Sequence, residues 1–386
     1  MKVAILSRSF CKSAGGAENY AVNLAQHLAS QFDIHVFCER SDISFPGITL
    51  HRMGFAIKRP RWVALWLFAW WSWRRTRRGF DIVHSHENTW HGNVQTAHVR
   101  PMKYSLLSRA NSPVSKALSY LKIASSPRLL AHLLLESLRF RSGDKRIVVA
   151  VAPALGEIIG NTFGTAPDRI RLVPPGIYLP LATQPDLSLL VCKAEARAAL
   201  GVQQNAWVLL LVGHNFEKKG LSAVLRTLPL LSADVTLLVV GGNAAQVNVW
   251  RARCVQEGLD QQVVFAGTMS DSTSAFAAAD CLVHATLDDM FPLVVLEAMA
   301  AKVPVVLSGA PFCLASPLIQ SAKAAWMLQD PHAEEEIAHA VSALRSDVVE
   351  RQAQIVRAHK FAQNHSWPHV AAQQSRIYQE LSVANA

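Results

Sequence analysis

Short apolar runs bounded by polar or glycine residues recur along the chain, separated by stretches with helical spacing. Residues 3–6, 34–38, 81–86, 94–97, 147–152 and 170–173 read as strands, and 17–29 reads as a helix after the first of them. A segment rich in breakers runs from Pro174-Pro175-Gly176 to Pro185. Beyond it the rhythm restarts, with strands at 207–212, 235–240, 263–265, 281–284 and 303–307. Runs this apolar belong to strands covered on both faces, and their alternation with helices is that of a doubly wound parallel sheet. The pattern predicts two α/β domains, 1–180 and 181–365. Ligands in such folds collect outside the C-terminal strand ends, so a cleft between the domains is the expected site.

Composition adds a direction to this picture. The 386 residues are 51% hydrophobic and 17% charged, which excludes a disordered or coiled-coil chain. Residues 1–185 hold 24 Lys+Arg against 10 Asp+Glu, a net of +14, whereas 186–386 hold 14 against 18, a net of −4. The basic half calls for an anionic partner. The N-terminal apolar run is too short for a signal-peptide core, and the apolar run 62–71 is too short to span a bilayer. Six cysteines without paired spacing read as reduced thiols of a cytosolic protein.

The most specific motif is Asp289-Met-Phe-Pro-Leu-Val-Val-Leu-Glu297. It resembles the acidic-x7-Glu motif of the retaining family-4 glycosyltransferases of GT-B fold. Further elements follow in that family's order: Gly15-Gly16-Ala17-Glu18, Val173-Pro-Pro-Gly176, Gly213 to Lys218-Lys219-Gly220, Val239-Val-Gly-Gly242 and Val264-Phe-Ala-Gly267. The C-terminal Ser366-Trp367 and its helix, 366–386, are also similar, and the resemblance implies that this helix packs back on the first domain. It further implies two Rossmann-like domains facing across a cleft, the first for the acceptor and the second for a nucleotide sugar, with UDP-hexose as donor and retention at the anomeric carbon. The first acidic position is commonly Glu in that family and here is Asp289; the chain is similar in this to some lipopolysaccharide-core hexosyltransferases, which carry Asp there. A second departure is His214, which stands where the family often has arginine.

The residues themselves support that chemistry. Asp289 and Glu297 bracket a loop opening a helix expected to begin near Phe291, whose first N–H groups would face a diphosphate. Met290, Phe291, Pro292 and Leu293 make up that helix start. Glu297 can accept from two ribose hydroxyls, and Lys219, supported by Lys218, would neutralise the leaving diphosphate. The chain has no Asp-x-Asp, so no metal or other cofactor is expected. Gly15, Gly16, Gly242 and Gly267 allow close approach to a donor, or simply make tight turns. The resemblance makes His98, at a strand end, a candidate for positioning the acceptor hydroxyl or the donor phosphate, the alternative being a hydrogen-bonded strand-end histidine. Glu18, Glu87, Arg100, Lys103 and Arg109 are the other acceptor-side candidates, or else solvated loop residues. His84, His86 and His91 lack the further ligands a zinc site needs.

Residues 58–78 carry five tryptophans and seven cations with no acid. Trp62, Trp66, Trp70 and Trp73 share one helical face, followed by Arg74 and Arg75. That is the composition of a helix lying at a bilayer interface, the alternative being a sheet-covering helix; nucleic acid fits poorly. The expectation is a cytoplasmic enzyme, peripheral at the inner face of the cytoplasmic membrane, that glycosylates nascent lipopolysaccharide core. The alternatives are a transferase with a soluble sugar or sugar-phosphate acceptor, and a non-catalytic sugar-nucleotide or membrane-binding protein.

Overall fold

The structure, a computed structural model, describes every residue except 12–15, 55–58, 108–111, 142–145, 180–185, 270 and 384–386. It divides into two compact units, Met1–Gly176 with Trp367–Ala386, and Ile177–Ser366. The strands of the first unit are β1 (Lys2–Leu6), β2 (Ser9–Phe10), β3 (Asp33–Cys38), β4 (Arg40–Ser41), β5 (Ile48–Arg52), β6 (Ile82–Ser85), β7 (Val94–Ala97), β8 (Ile147–Ala150) and β9 (Ile170–Leu172). Seven form a parallel sheet in the order β5-β3-β1-β6-β7-β8-β9, and β2 pairs with β4 alone. The second unit has β10 (Trp207–Val212), β11 (Val235–Val240), β12 (Val263–Gly267), β13 (Cys281–His284), β14 (Val305–Ser308) and β15 (Trp326–Leu328), parallel in the order β12-β11-β10-β13-β14-β15. This is the α/β architecture of two Rossmann-like sheets.

In each sheet the strand order reverses beside the first strand, between β1 and β6 and between β10 and β13. Loops leaving the carboxyl ends of such a pair diverge to opposite faces and leave a crevice there. The central strands match the apolar runs because both faces are covered: Val3, Ala4, Ile5 and Leu6, like Val208 to Leu211, are fully buried. The edge strand β5 has no such run. The residues of β5, Ile-Thr-Leu-His-Arg, are partly or fully exposed, so no continuous apolar signal marks them.

Helix Trp367–Val383 is held by the first unit through its buried face. Trp367 lies so close to Gly176 that a Cβ there would sit 2.8 Å from the indole. Tyr378 shares a 2.6 Å hydrogen bond with His84 Nδ1.

The tryptophan-rich segment forms helix Arg61–Thr76, and its packing corrects the interfacial expectation. Phe68 and Trp71 join Ala4, Leu6 and Phe37 in the sheet core. On the other side Leu65 and Ala69 meet Leu135 of helix Pro127–Phe140, with Trp66 and Trp90 packed against them. Trp66 Nε1 donates to the Ala131 carbonyl at 3.2 Å, and Trp73 stands 6.4 Å from the Trp90 ring. Trp62 is half-buried; Trp70, Arg74 and Arg75 are exposed. Of the face expected to meet lipid, Trp66 and Trp73 are therefore covered by protein, whereas Trp70, Arg74 and Arg75 stay exposed.

Candidate active site

In the second unit the loops after β10 and β13 meet at the reversal point. Gly220, at φ +82°, begins helix Leu221–Thr227, and a Cβ on it would lie 2.0 Å from the Ala285 carbonyl oxygen. No other residue lets these two loops touch there. The Lys218 carbonyl accepts from Leu287 N–H at 2.8 Å and Thr286 Oγ1 at 3.1 Å, stitching the loops together. Gly213 leaves room for the Lys219 stem, whose Cγ would be 2.6 Å from a Cβ.

The join brings Lys219 Nζ onto Asp289 Oδ2 as an ion pair. His284, at the end of β13 and fully buried, places Nε2 3.3 Å from the same oxygen. Burial pushes the Asp289 carboxyl up, but the His284 hydrogen bond and the Lys219 ammonium outweigh it and hold it down at about 2. Burial lowers His284 below the ordinary imidazole value, so the ring is neutral at pH 7 and Nε2 must carry the proton it gives to a carboxylate. The Asp289 backbone is fixed as well, its N–H donating to Phe312 O at 2.8 Å and its carbonyl accepting from Leu314 N–H at 2.9 Å. Sequence reasoning missed His284; its position at a buried strand's C-terminal end was the available signal.

Helix Leu293–Ala300 starts two residues later than expected, with Pro292 as its extended N-cap residue. Proline lacks the donor and fixes φ, so the helix begins after it, and the leading N–H groups belong to Leu293 and Val294. Met290 is half-buried, and the Phe291 side chain is buried beside His365, 5.9 Å between rings, so Phe291 serves the core. Glu297 is half-buried, and its carboxylate has no hydrogen-bond or ion-pair partner among the described residues. Burial, then the Asp271 charge, raise its pKa above the ordinary carboxylate value. Lys218 is exposed, 3.6 Å from Asp288. Gly242 is tight against Phe216, whose ring a Cβ would meet at 2.6 Å, whereas Gly267 faces open space.

In the first unit a pocket of about 170 Å³ opens at the β1/β6 reversal, lined by Ser7, Glu18, His86, Glu87, His98 and Arg139 among others. His86 Nδ1 and His98 Nε2 are 2.9 Å apart, and burial holds His98 at about 3, so both rings are neutral. Glu87 accepts from Arg8 N–H at 3.0 Å, yet burial keeps its pKa raised. Arg139, unforeseen from sequence, is buried and donates to Gln95 Oε1, Asn88 Oδ1 and the Thr96 carbonyl. Arg100 and Lys103 do not line the pocket. Lys103 Nζ donates to the Thr162 carbonyl at 3.2 Å. Gly16 opens helix Gly16–Leu28, with open space around it; Gly15 and Arg109 lie outside the described residues. His84 and His91 are hydrogen-bonded to Thr96, Tyr378 and Ser72, and no three metal-ligating side chains gather among the described residues.

Comparison with known proteins gives the two units their kinship. Residues 14–179 match the family model Glycosyltransferase Family 4, and residues 206–347 match Glycosyl transferases group 1. An uncharacterized glycosyltransferase of Methanocaldococcus jannaschii is 31% identical over 165 residues, 42% of each chain. The D-inositol 3-phosphate glycosyltransferase of Streptomyces scabiei is 25% identical over 323 residues, 76% of this chain and 70% of that one. The lipopolysaccharide glucosyltransferase WaaG of Escherichia coli K12 is 27% identical over 182 residues, 45% of this chain and 46% of WaaG. The match to the Methanocaldococcus protein and the match to WaaG thus each span less than half of the relative's length. The crystal structure of WaaG, a glycosyltransferase involved in lipopolysaccharide biosynthesis, superposes with TM-score 0.78 at 18% identity over 97% of this chain and 99% of that one. Anabaena HepE in complex with UDP superposes with TM-score 0.70 at 16% identity over 98% and 100%. At these identities the superpositions show the GT-B fold. With the two family models covering most of its length, the chain belongs to the GT-B glycosyltransferases, carrying a family-4 domain followed by a group 1 domain.

Proposed function

We propose that the protein transfers a hexose from UDP-hexose, with retention and without a metal, to an anionic glycan at a membrane, lipopolysaccharide core being the best-fitting acceptor. The observation that carries this reading is the Lys219–Asp289–His284 cluster beside the start of helix Leu293–Ala300 and the unpartnered Glu297. Lys219 supplies a fixed charge for the leaving diphosphate, and the leading N–H groups of the helix supply donors that need no reorganisation. Asp289, ionised and held through Oδ2, keeps Oδ1 for a hydroxyl of the sugar. Glu297 takes the ribose hydroxyls. In the first unit, the neutral His86–His98 pair with Glu18 and Glu87 offers donors and acceptors to a polyhydroxylated acceptor.

A soluble sugar phosphate is the second reading for the acceptor, favoured by the relatives named D-inositol 3-phosphate glycosyltransferase that align over most of this chain. Thermal stabilisation and slow donor hydrolysis, measured across a panel of nucleotide sugars with and without EDTA, test the donor half. Selective stabilisation by one UDP-hexose, indifferent to EDTA and lost in Glu297→Ala, is expected. Stabilisation by no nucleotide sugar would overturn the donor reading.

A further inference from the structure

The two histidines of the first unit's pocket are unequal. His98 is half-buried and lines the pocket, and its Nδ1 has no partner among the described residues. His86 is buried, and its Nε2 is sealed from solvent, again with no partner among the described residues. The other two nitrogens, His86 Nδ1 and His98 Nε2, meet at 2.9 Å in rings 18° from parallel. The neighbours of His86 are spent elsewhere. The His84 ring is 4.3 Å away, but its nitrogens are taken by the Tyr378 hydroxyl and Thr96 Oγ1, each at 2.6 Å. Tyr20 lies against both rings of the pair, and its hydroxyl donates to the Val173 carbonyl at 3.4 Å. Burial, with the Arg139 charge adding to it, keeps a second hydrogen off either ring.

One hydrogen bond between two neutral imidazoles allows two arrangements. If His98 Nε2 donates, the single hydrogen of His86 must sit on its own Nε2, and an N–H is stranded in the core. If His86 Nδ1 donates, only a lone pair is stranded there, and His98 carries its hydrogen on Nδ1. A buried N–H without an acceptor is the costlier of the two. We propose that His86 is a positioning residue that holds His98 in the Nδ1–H form, so that His98 offers the pocket a hydrogen-bond donor for an oxygen of a bound hydroxylated ligand. The hydrogen bond made by one ring nitrogen sets the state of the other in this way. The Nε2 lone pair of His98 is then occupied by His86, and the ring has none left with which to draw a proton from an acceptor hydroxyl. Only the identity of the ligand oxygen rests on the acceptor reading proposed above.

Nitrogen-15 NMR of the full chain, labelled at histidine and held near neutral pH, tests the pair, with the His98 signals assigned by their loss in His98→Ala. The wild type is expected to show hydrogen on Nδ1 of both His86 and His98, with a coupling across the bond from His86 Nδ1 to His98 Nε2. A wild-type His98 protonated at Nε2 overturns the proposal, whatever the variants do. In folded His86→Leu the Nε2–H form of His98 should rise about tenfold relative to the Nδ1–H form, as one hydrogen bond is lost. His86→Asn, whose amide N–H stands where the Nδ1–H stood, should restore the wild-type pattern. A His98 that stays wholly Nδ1–H in folded His86→Leu removes His86 from the role. The ligand contact is read separately: equal transfer from UDP-glucose to lipopolysaccharide core by wild type and folded His98→Ala would overturn it together with the acceptor reading, and the tautomer assignment would stand.

Discussion

Two carboxylates of the second unit, Asp289 and Glu297, are driven in opposite directions by their surroundings. Asp289 lies at about 2, against the pull of burial, and Glu297 lies above its ordinary value. A depressed carboxyl adds stability above its unfolded pKa, near 3.9, and loses it as pH falls through about 2. A raised one does the reverse, weakening the fold at every pH above its unfolded value, near 4.3. Glu297→Gln should therefore raise the melting temperature at pH 8 and lose that advantage below about pH 4, while nucleotide-sugar affinity falls about tenfold or more. The acid limb of kcat/KM should belong to the two raised carboxyls of the proposed sites, Glu297 and Glu87, since Asp289 stays ionised through that range, and a limb unmoved in both Glu297→Gln and Glu87→Gln would contradict the assignment. His284 is a positioning residue for Asp289. Replacing it with leucine removes a donor to the carboxylate, so the Asp289 pKa should climb and a new acid limb should appear in kcat. Glutamine, whose amide reaches the same region, should restore most of the rate. A leucine variant that is merely less stable, with an unaltered pH profile, would reduce His284 to packing.

At the scale of elements, the buried strands were legible because a strand covered on both faces writes itself as a continuous apolar run. The motif loops were legible too, since Gly220 and Gly213 mark where backbone and the Lys219 stem need space that any Cβ would occupy. What could not be read was which protein surface covers a helix. The tryptophan stripe of Arg61–Thr76 has the composition of a lipid-facing helix, and nothing within residues 61–76 reports that helix Pro127–Phe140 lies over it. Trp66→Ala should accordingly act on stability, costing roughly 2–3 kcal/mol for a half-buried indole that also loses its bond to the Ala131 carbonyl. Denaturant titration measures that cost, and vesicle binding by the folded variant should stay near the wild-type level.

For the molecule as a whole, the first unit is completed by the last stretch of chain. Trp367 fills the space beside Gly176, Tyr378 bonds the buried His84, and Ser375 Oγ donates to Gln31 Oε1 at 3.0 Å. Each contact joins residues more than 150 positions apart, which is why local patterning carries no trace of them. The second unit is contiguous, Ile177–Ser366, and holds Lys219, His284, Asp289 and Glu297 entirely within itself. Truncation after Ser366 should then separate the two units energetically. The first loses the Trp367 and Tyr378 packing, leaves His84 Nδ1 unpaired in the core, and should melt at markedly lower temperature. The second keeps every group of the proposed donor site, so its transition should still rise with UDP-hexose. Differential scanning calorimetry of the truncated chain, with and without nucleotide, resolves the two transitions. A nucleotide response that vanishes with the C-terminal helix would mean that the donor site requires the first unit, contrary to the assignment of all its groups to the second.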